Sequence, residues 1–177
     1  MASVQEIVIL HSGRINDSKI WFAPNIPSNK LEGAINSYAQ RVSSAEILML
    51  VDNTIWGGCG DGMLITPEKL YAHDMGNSSK VMSISDIKSV NVVGSFAPEL
   101  IINGSKFVTF NCIDIHSKSN HVNICLLINE LSAAHASIGT PNALSHNSCG
   151  VTSPQECSGC GARFWKIGVC EYCGQKS

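Results

Sequence analysis

The sequence predicts a mainly β, α+β fold. A bent barrel of about seven antiparallel strands is closed by a C-terminal helix, preceded by an N-terminal helix, and followed by a small cysteine-rich appendage. Three observations carry this expectation. Between residues 46 and 111 the apolar residues come in short runs separated by turn signals, which is the strand pattern. On either side, 28–42 and 119–131 repeat apolar residues at helical spacing. The last four of the eight cysteines lie within 17 residues.

The 177 residues suit one domain with an appendage, at roughly 100–200 residues per domain. With 44% hydrophobic and 15% charged residues, the chain has the makings of a core and is unlike a disordered segment. A net charge of −2 gives no electrostatic case for non-specific nucleic-acid binding. The start, "MASVQEIVILHSGR", has no basic stretch, and its apolar run "IVIL" is too short for a signal peptide. No stretch approaches the roughly 18 apolar residues of a membrane span. The expectation is a soluble, cytoplasmic chain, in which clustered cysteines point to metal rather than disulfides.

Four segments follow: 1–44, an N-terminal segment with a helix over 28–42; 45–136, the barrel and its capping helix; 137–156, a linker; and 157–177, the appendage. In "IPSNKLEGAINSYAQRV", Ser28 is the predicted N-cap, and Leu31, Ile35, Tyr38 and Val42 mark the apolar face. "EILMLVD" reads as a buried strand. "GMLITPEKLYAHD" reads as a hairpin turning at Pro67. "KVMSISDIKSVNVVG" gives two short strands broken near Ser85–Asp86. In "ELIINGSKFVTFN", Asn103–Gly104 supplies the two positive-φ residues of a type I′ turn. "SKSNHVNICLLINELSAAHA" is a helix, with Ser119 or Asn120 as cap. Its predicted buried face holds Val122, Cys125, Leu126, Ile128 and Leu131, with Leu127 adding to the apolar run. The linker "SIGTPNALSHNSCGVTSPQE" is rich in Ser, Thr, Asn, Gly and Pro.

The tail "CSGCGARFWKIGVCEYCGQ" places Cys157 and Cys160 in one C-x2-C and Cys170 and Cys173 in another, nine residues apart. Each such turn points two thiolates at one centre, and two turns complete a tetrahedron around zinc. Gly161 and Gly174 let the backbone turn so that amide groups donate to sulfur. Four thiolates leave no open position, so one zinc is expected, in a structural role. A segment this short depends on that metal for its fold. A redox dithiol, a disulfide pair, or iron are the competing readings. Phe164 and Trp165 either cover the metal or stack on a base or peptide, and the cover reading is preferred.

The loop "IWGGCGDGML" packs four glycines into residues 57–62 but is not a phosphate cradle. No Gly-Lys-Ser/Thr ends it, no G-x-G-x-x-G can be placed, and a strand rather than a helix follows. It reads as a flexible connection between strands. Trp56 is either an exposed interaction anchor or a core residue. Cys59, expected to be exposed in this loop, has no Lys or Arg beside it in sequence to activate its thiol. Cys112 and Cys125 read as small core residues, and His73–Asp74 as a satisfied surface pair rather than an acid–base pair. His146 and Cys149, in the linker, are read as spare metal ligands at most.

The succession "EILMLVDNTIWGG", "GDGMLITPEKLYAHD", "SISDIKSV", "INGSKF" and a helix over 46–131 resembles the bacterial branch of the pleckstrin-homology-like (PH-like) domains. A bacterial arrangement in which a helix like "IPSNKLEGAINSYA" precedes "DNTIWG" is similar too. The resemblance implies a groove between a sheet edge, somewhere in 79–111, and the C-terminal helix, where a peptide adds as a strand. Members that bind phosphoinositides carry basic residues in the loop joining their first two strands. This loop has none and holds Asp52 and Asp61, so phosphoinositide and membrane binding are not expected. The function these observations favour is a non-enzymatic cytosolic interaction or adaptor module for an unidentified protein or peptide, with a structural zinc ribbon. The alternative is a nucleic-acid-associated zinc-ribbon protein with the barrel as scaffold.

Overall fold

The computed structural model describes residues 3–94, 97–111, 118–138, 155–156 and 163–164. The chain divides into two compact units, Met1–Pro141 and Asn142–Ser177.

The first unit opens with a helix inside the N-terminal segment, ahead of the predicted one: α1, Val4–Ser12. Ser3 caps it through a reciprocal box with Glu6, each side chain meeting the other's backbone N–H. The short run "IVIL" therefore belongs to a helix, whose Ile7, Val8 and His11 are buried. Strand β1 (Ile20–Phe22) follows, then α2 (Ser28–Ser37). Two expectations for α2 are corrected. Pro27, not Ser28, is the N-cap, and the helix stops at Ser37 rather than 42 because Tyr38 leaves helical geometry. Tyr38, Ala39 and Val42 are buried all the same.

Strands β2 (Met49–Asp52), β3 (Gly62–Ile65), β4 (Lys69–His73) and β5 (Lys80–Ser83) run antiparallel, with β1 added outside β2. In β2 and β3 every residue is buried, because both faces of this sheet are covered. Alternation sorts the side chains. Met49, Val51, Met63, Ile65, Leu70 and Ala72 face the main core. Leu50, Leu64 and Tyr71 face outward under α2, against Leu31, Ala34, Ile35 and Tyr38. The β3–β4 turn holds Pro67, and Thr66 Oγ1 exchanges bonds with both backbone groups of Lys69.

The break expected near Ser85–Asp86 is a single 3-10 turn, Ile84–Asp86, which carries the chain into a second sheet. That sheet has the order β6 (Val90–Val93), β7 (Glu99–Ile102), β8 (Ser105–Thr109). Asn103 (φ 52) and Gly104 (φ 80) make the predicted turn. The Asn103 side chain accepts from Lys88 N and Ser89 N and donates to Asp86 O, tying the turn to the start of β6.

The two sheets do not close into the expected barrel. Closure needs a backbone ladder between their ends, and β1 already occupies the outer edge of β2. Side chains of the first sheet and its loops instead take up the free edge of β8. Lys80 Nζ donates to Lys106 O and Phe107 O. Asp74 accepts from Thr109 N, and Asn53 donates to Thr109 O while accepting from Asn111 N. The result is an α+β unit with one five-stranded and one three-stranded antiparallel sheet.

Helix α3 (Lys118–Ile138) covers the core beside β6, with α1 packed against it. Its buried apolar residues are Ile124, Leu127, Ile128 and Leu131. The predicted face was rotated. Val122 and Leu126 are exposed, and polar Asn120 and His121 are buried. Asn120 is not a cap; its amide accepts from Asn16 N and donates to Asn16 O. That pairing satisfies a buried amide and brings the chain before β1 to the helix. Cys125, half-buried, donates its thiol to Val90 O.

In the second unit, β9 (Gln155–Glu156) and β10 (Arg163–Phe164) pair antiparallel, with Arg163 opposite Glu156.

Candidate interaction site at the glycine loop

The β2–β3 connection, 53–61, is held in place by side chains from three directions. Asp52, at the end of β2, is fully buried. Its carboxylate accepts from Thr54 N at 2.9 Å, from Thr54 Oγ1, and from Lys30 Nζ at 3.3 Å. Burial pushes this carboxyl's pKa up, but the bonds from Thr54, Cys59 and Lys30 outweigh burial and hold it below the usual range. Thr54 Oγ1 also accepts from Gly58 N at 2.7 Å. Lys30, in the first turn of α2, donates to Gly57 O and lies 5.2 Å from the Trp21 ring centre. Lys19 Nζ donates to Thr54 O at 2.7 Å. On the far side, Ser37 Oγ donates to Gly60 O at 2.7 Å, and His73 Nδ1 lies 2.7 Å from Asp61 Oδ1.

Three expectations change on this geometry. The loop is bolted down rather than a free flexible connection. Cys59, expected in an exposed loop, is fully buried with a left-handed backbone (φ 52). Burial, then the neighbouring Asp52 charge, push its thiol up to about 12, so it is a poor nucleophile at neutral pH. Asp52 and Asp61 are not a repulsive acidic surface: one is buried against Lys30, the other engages His73. His73 and Asp74 are both satisfied, though not by each other: His73 meets Asp61, and Asp74 accepts from Thr109 N at 3.1 Å. Tyr38 lies beneath the loop, stacked on His73 with centroids 6.2 Å apart. Burial first, then Cys59, Asp52 and Asp61, shift its phenol far upward.

What the bolts present is apolar. Ile55 is 74% exposed and Trp56 96%. Met75, in the β4–β5 connection at the same end of the sheet, is 75% exposed. Of the alternatives for Trp56, the structure places it outside. A fixed loop holding out large apolar side chains loses little conformational freedom on binding. Lys19, Lys30 and Met75 had no part in the sequence reading. The lysines are distant in sequence from the loop, whereas a lone Met in the turn "DMGNSS" was a legible signal.

Cys157, Cys160, Cys170, Cys173 and Trp165 lie outside the described residues, as do Cys112, His146 and Cys149. Phe164 lies in β10. Among the described residues no three His, Cys, Asp or Glu side chains converge as a metal site. No helix among them is long and apolar enough to cross a membrane. Comparison of the chain with protein-family models, curated proteins and solved structures finds no match.

Proposed function

We propose that the chain is a non-enzymatic interaction module: a PH-like unit that docks a protein or peptide partner, joined to a structural zinc ribbon. The observation that carries this reading is the presentation of Ile55 and Trp56 on the bolted loop. Tryptophan in a preorganised setting is the type of residue that dominates interface energetics. The order of elements supports the PH-like part. A four-stranded meander, β2–β5, leads into a three-stranded meander, β6–β8, and then a helix lying on β6. Strand β6 is the edge beside that helix where an extended peptide adds, and Asn91 and Val93 are exposed along it.

For the ribbon, the support is the antiparallel pairing of β9 (Gln155–Glu156) with β10 (Arg163–Phe164). In the sequence, Cys157 and Cys160 fall between these two strands at the C-x2-C spacing of a zinc knuckle. The zinc would hold the tail together and take no part in a reaction. The cytoplasmic placement belongs to this proposal, because free thiolates for zinc need a reducing compartment.

The test is a photoreactive amino acid at position 56, or at 93, of the full chain in its native cell. Crosslinks to one defined protein from either position, competed by unlabelled protein but not by Trp56→Ala, support the reading. Absence of any competed crosslink at both positions refutes it.

A further inference from the structure

The outer face of the five-stranded sheet carries a row of cross-strand neighbours: Trp21, Leu50, Leu64, Tyr71 and Val81. Helix α2 packs over the first four. It ends at Ser37, so the last member, Val81, is 53% exposed beside a cleft of about 530 Å³ between the end of α2 and strands β4 and β5. Tyr71 and Val81 supply an apolar wall. Arg41 and Lys69 also line the cleft, with Gln40 and Ser79 as further polar groups. No carboxylate lines it. Neither cation has an ion-pair partner among the described residues.

Unpaired cations on a surface are ordinary; two of them in one cleft beside uncovered apolar surface are less so. The balance of charge points the same way. A smaller neighbouring hollow shares Arg41, Lys69 and Tyr71, and Glu46 and Glu68 line that one as well. The lining of the larger cleft holds both cations and neither of these carboxylates. The C-terminus of α2 opposes this with roughly half a negative charge, part of it already met where Tyr38 N and Ala39 N donate to Ala34 O.

We infer that this cleft binds a small phosphate-bearing molecule with a flat apolar body. Its phosphate meets Arg41 and Lys69, and its body lies on Tyr71 and Val81. A guanidinium fork and an ammonium together suit a phosphate dianion. Gln40 and Ser79 are placed to bond remaining oxygens or polar groups of the body. This site is separate from the Trp56 loop, whose lysines are already engaged.

The experiment is an amide-resolved NMR titration of the full chain with phenyl phosphate, inorganic phosphate and sodium chloride at matched ionic strength. Saturable shifts at Gln40, Arg41, Lys69 and Ser79 are expected with both phosphates. Phenyl phosphate should bind about tenfold more tightly than inorganic phosphate, since only it covers the wall. In the double variant Arg41→Gln/Lys69→Gln, exposed positions whose fold is checked by circular dichroism, affinity should fall at least about tenfold. Equal shifts with chloride, or affinity unchanged in the double variant, would overturn the inference. Sedimentation with phosphatidylcholine vesicles containing a phosphatidylinositol phosphate separates the two sources. Co-sedimentation lost in the double variant assigns the phosphate to a lipid headgroup. No co-sedimentation, with phenyl phosphate bound, assigns it to a free metabolite.

Discussion

Replacing Gly33 by alanine tests how tightly the glycine loop is seated on α2. In an exposed helix interior this change stabilises by about 1 kcal/mol, because glycine is a poor helix former. Here a Cβ at position 33 would overlap the carbonyl oxygen of Gly58, with its carbon at 3.1 Å and Cys59 Cβ at 3.5 Å. The obstacle is backbone, which cannot swing aside as a long side chain can. Overpacking of this kind costs about 1–3 kcal/mol. Moving Gly58 also strains the Thr54 bond to its N–H and the Lys30 bond to Gly57, worth about 1 kcal/mol each. After subtracting the propensity gain, the expected outcome is a net destabilisation of about 1–3 kcal/mol. Urea unfolding followed by far-ultraviolet circular dichroism measures it, with Asn36→Ala on the exposed side of the same helix as control. Stabilisation of Gly33→Ala by about 1 kcal/mol would refute the seated loop.

Lys30→Ala leaves Asp52 buried without its cation and should destabilise by about 2–4 kcal/mol in the same assay, while lowering the steady-state anisotropy of Trp56. Trp56→Ala should change stability by less than about 0.5 kcal/mol, so any loss of partner crosslinking reports the interface and not the fold. The Cys59 thiol keeps its proton in the folded chain to about 12, against 9.0 when unperturbed. Its contribution to stability is therefore complete below the unfolded value and is lost as pH rises toward the folded one. Urea midpoints between about pH 8 and pH 10 should fall less steeply in Cys59→Ala than in the parent, and equal slopes would refute the burial. For the tail, metal analysis of protein purified without chelators should give one zinc per chain, and Cys170→Ser should lose it. A folded, metal-free tail would end that proposal.

What the sequence made legible was local. The Asn103–Gly104 turn, the break at Ser85–Asp86 and the fully buried run over 49–52 each follow from rules spanning a few residues. Misreadings arose where a distant partner decides. Barrel closure was inferred from strand count, but it depends on which strand reaches the edge of β2, and β1 gave only "IWF" as a signal. In α3 a 3.6-residue pattern could be laid on either side of an unusually apolar helix. The choice fell to Asn16, which draws Asn120 inward from over a hundred positions away. Cys59 reads as exposed because its loop is glycine-rich, yet Gly33 of α2 lets the backbone at Gly58 come close, and the thiol is buried. Lys30 escaped notice for the same reason: its role exists only once the helix lies across the sheet.

The side chains that occupy the margin of β8 have a consequence for how the protein meets other copies of itself. An unpaired strand margin is a template on which a neighbouring chain can polymerise. By assigning Asn53, Asp74 and Lys80 to those backbone groups, the fold withdraws one template without lengthening the sheet. The Cys125 thiol does a smaller share at Val90 on the opposite margin. Protection of the β8 margin thus rests on a few polar side chains, and weakening the Asn53–Asp74–Lys80 set should surface first as a loss of colloidal behaviour.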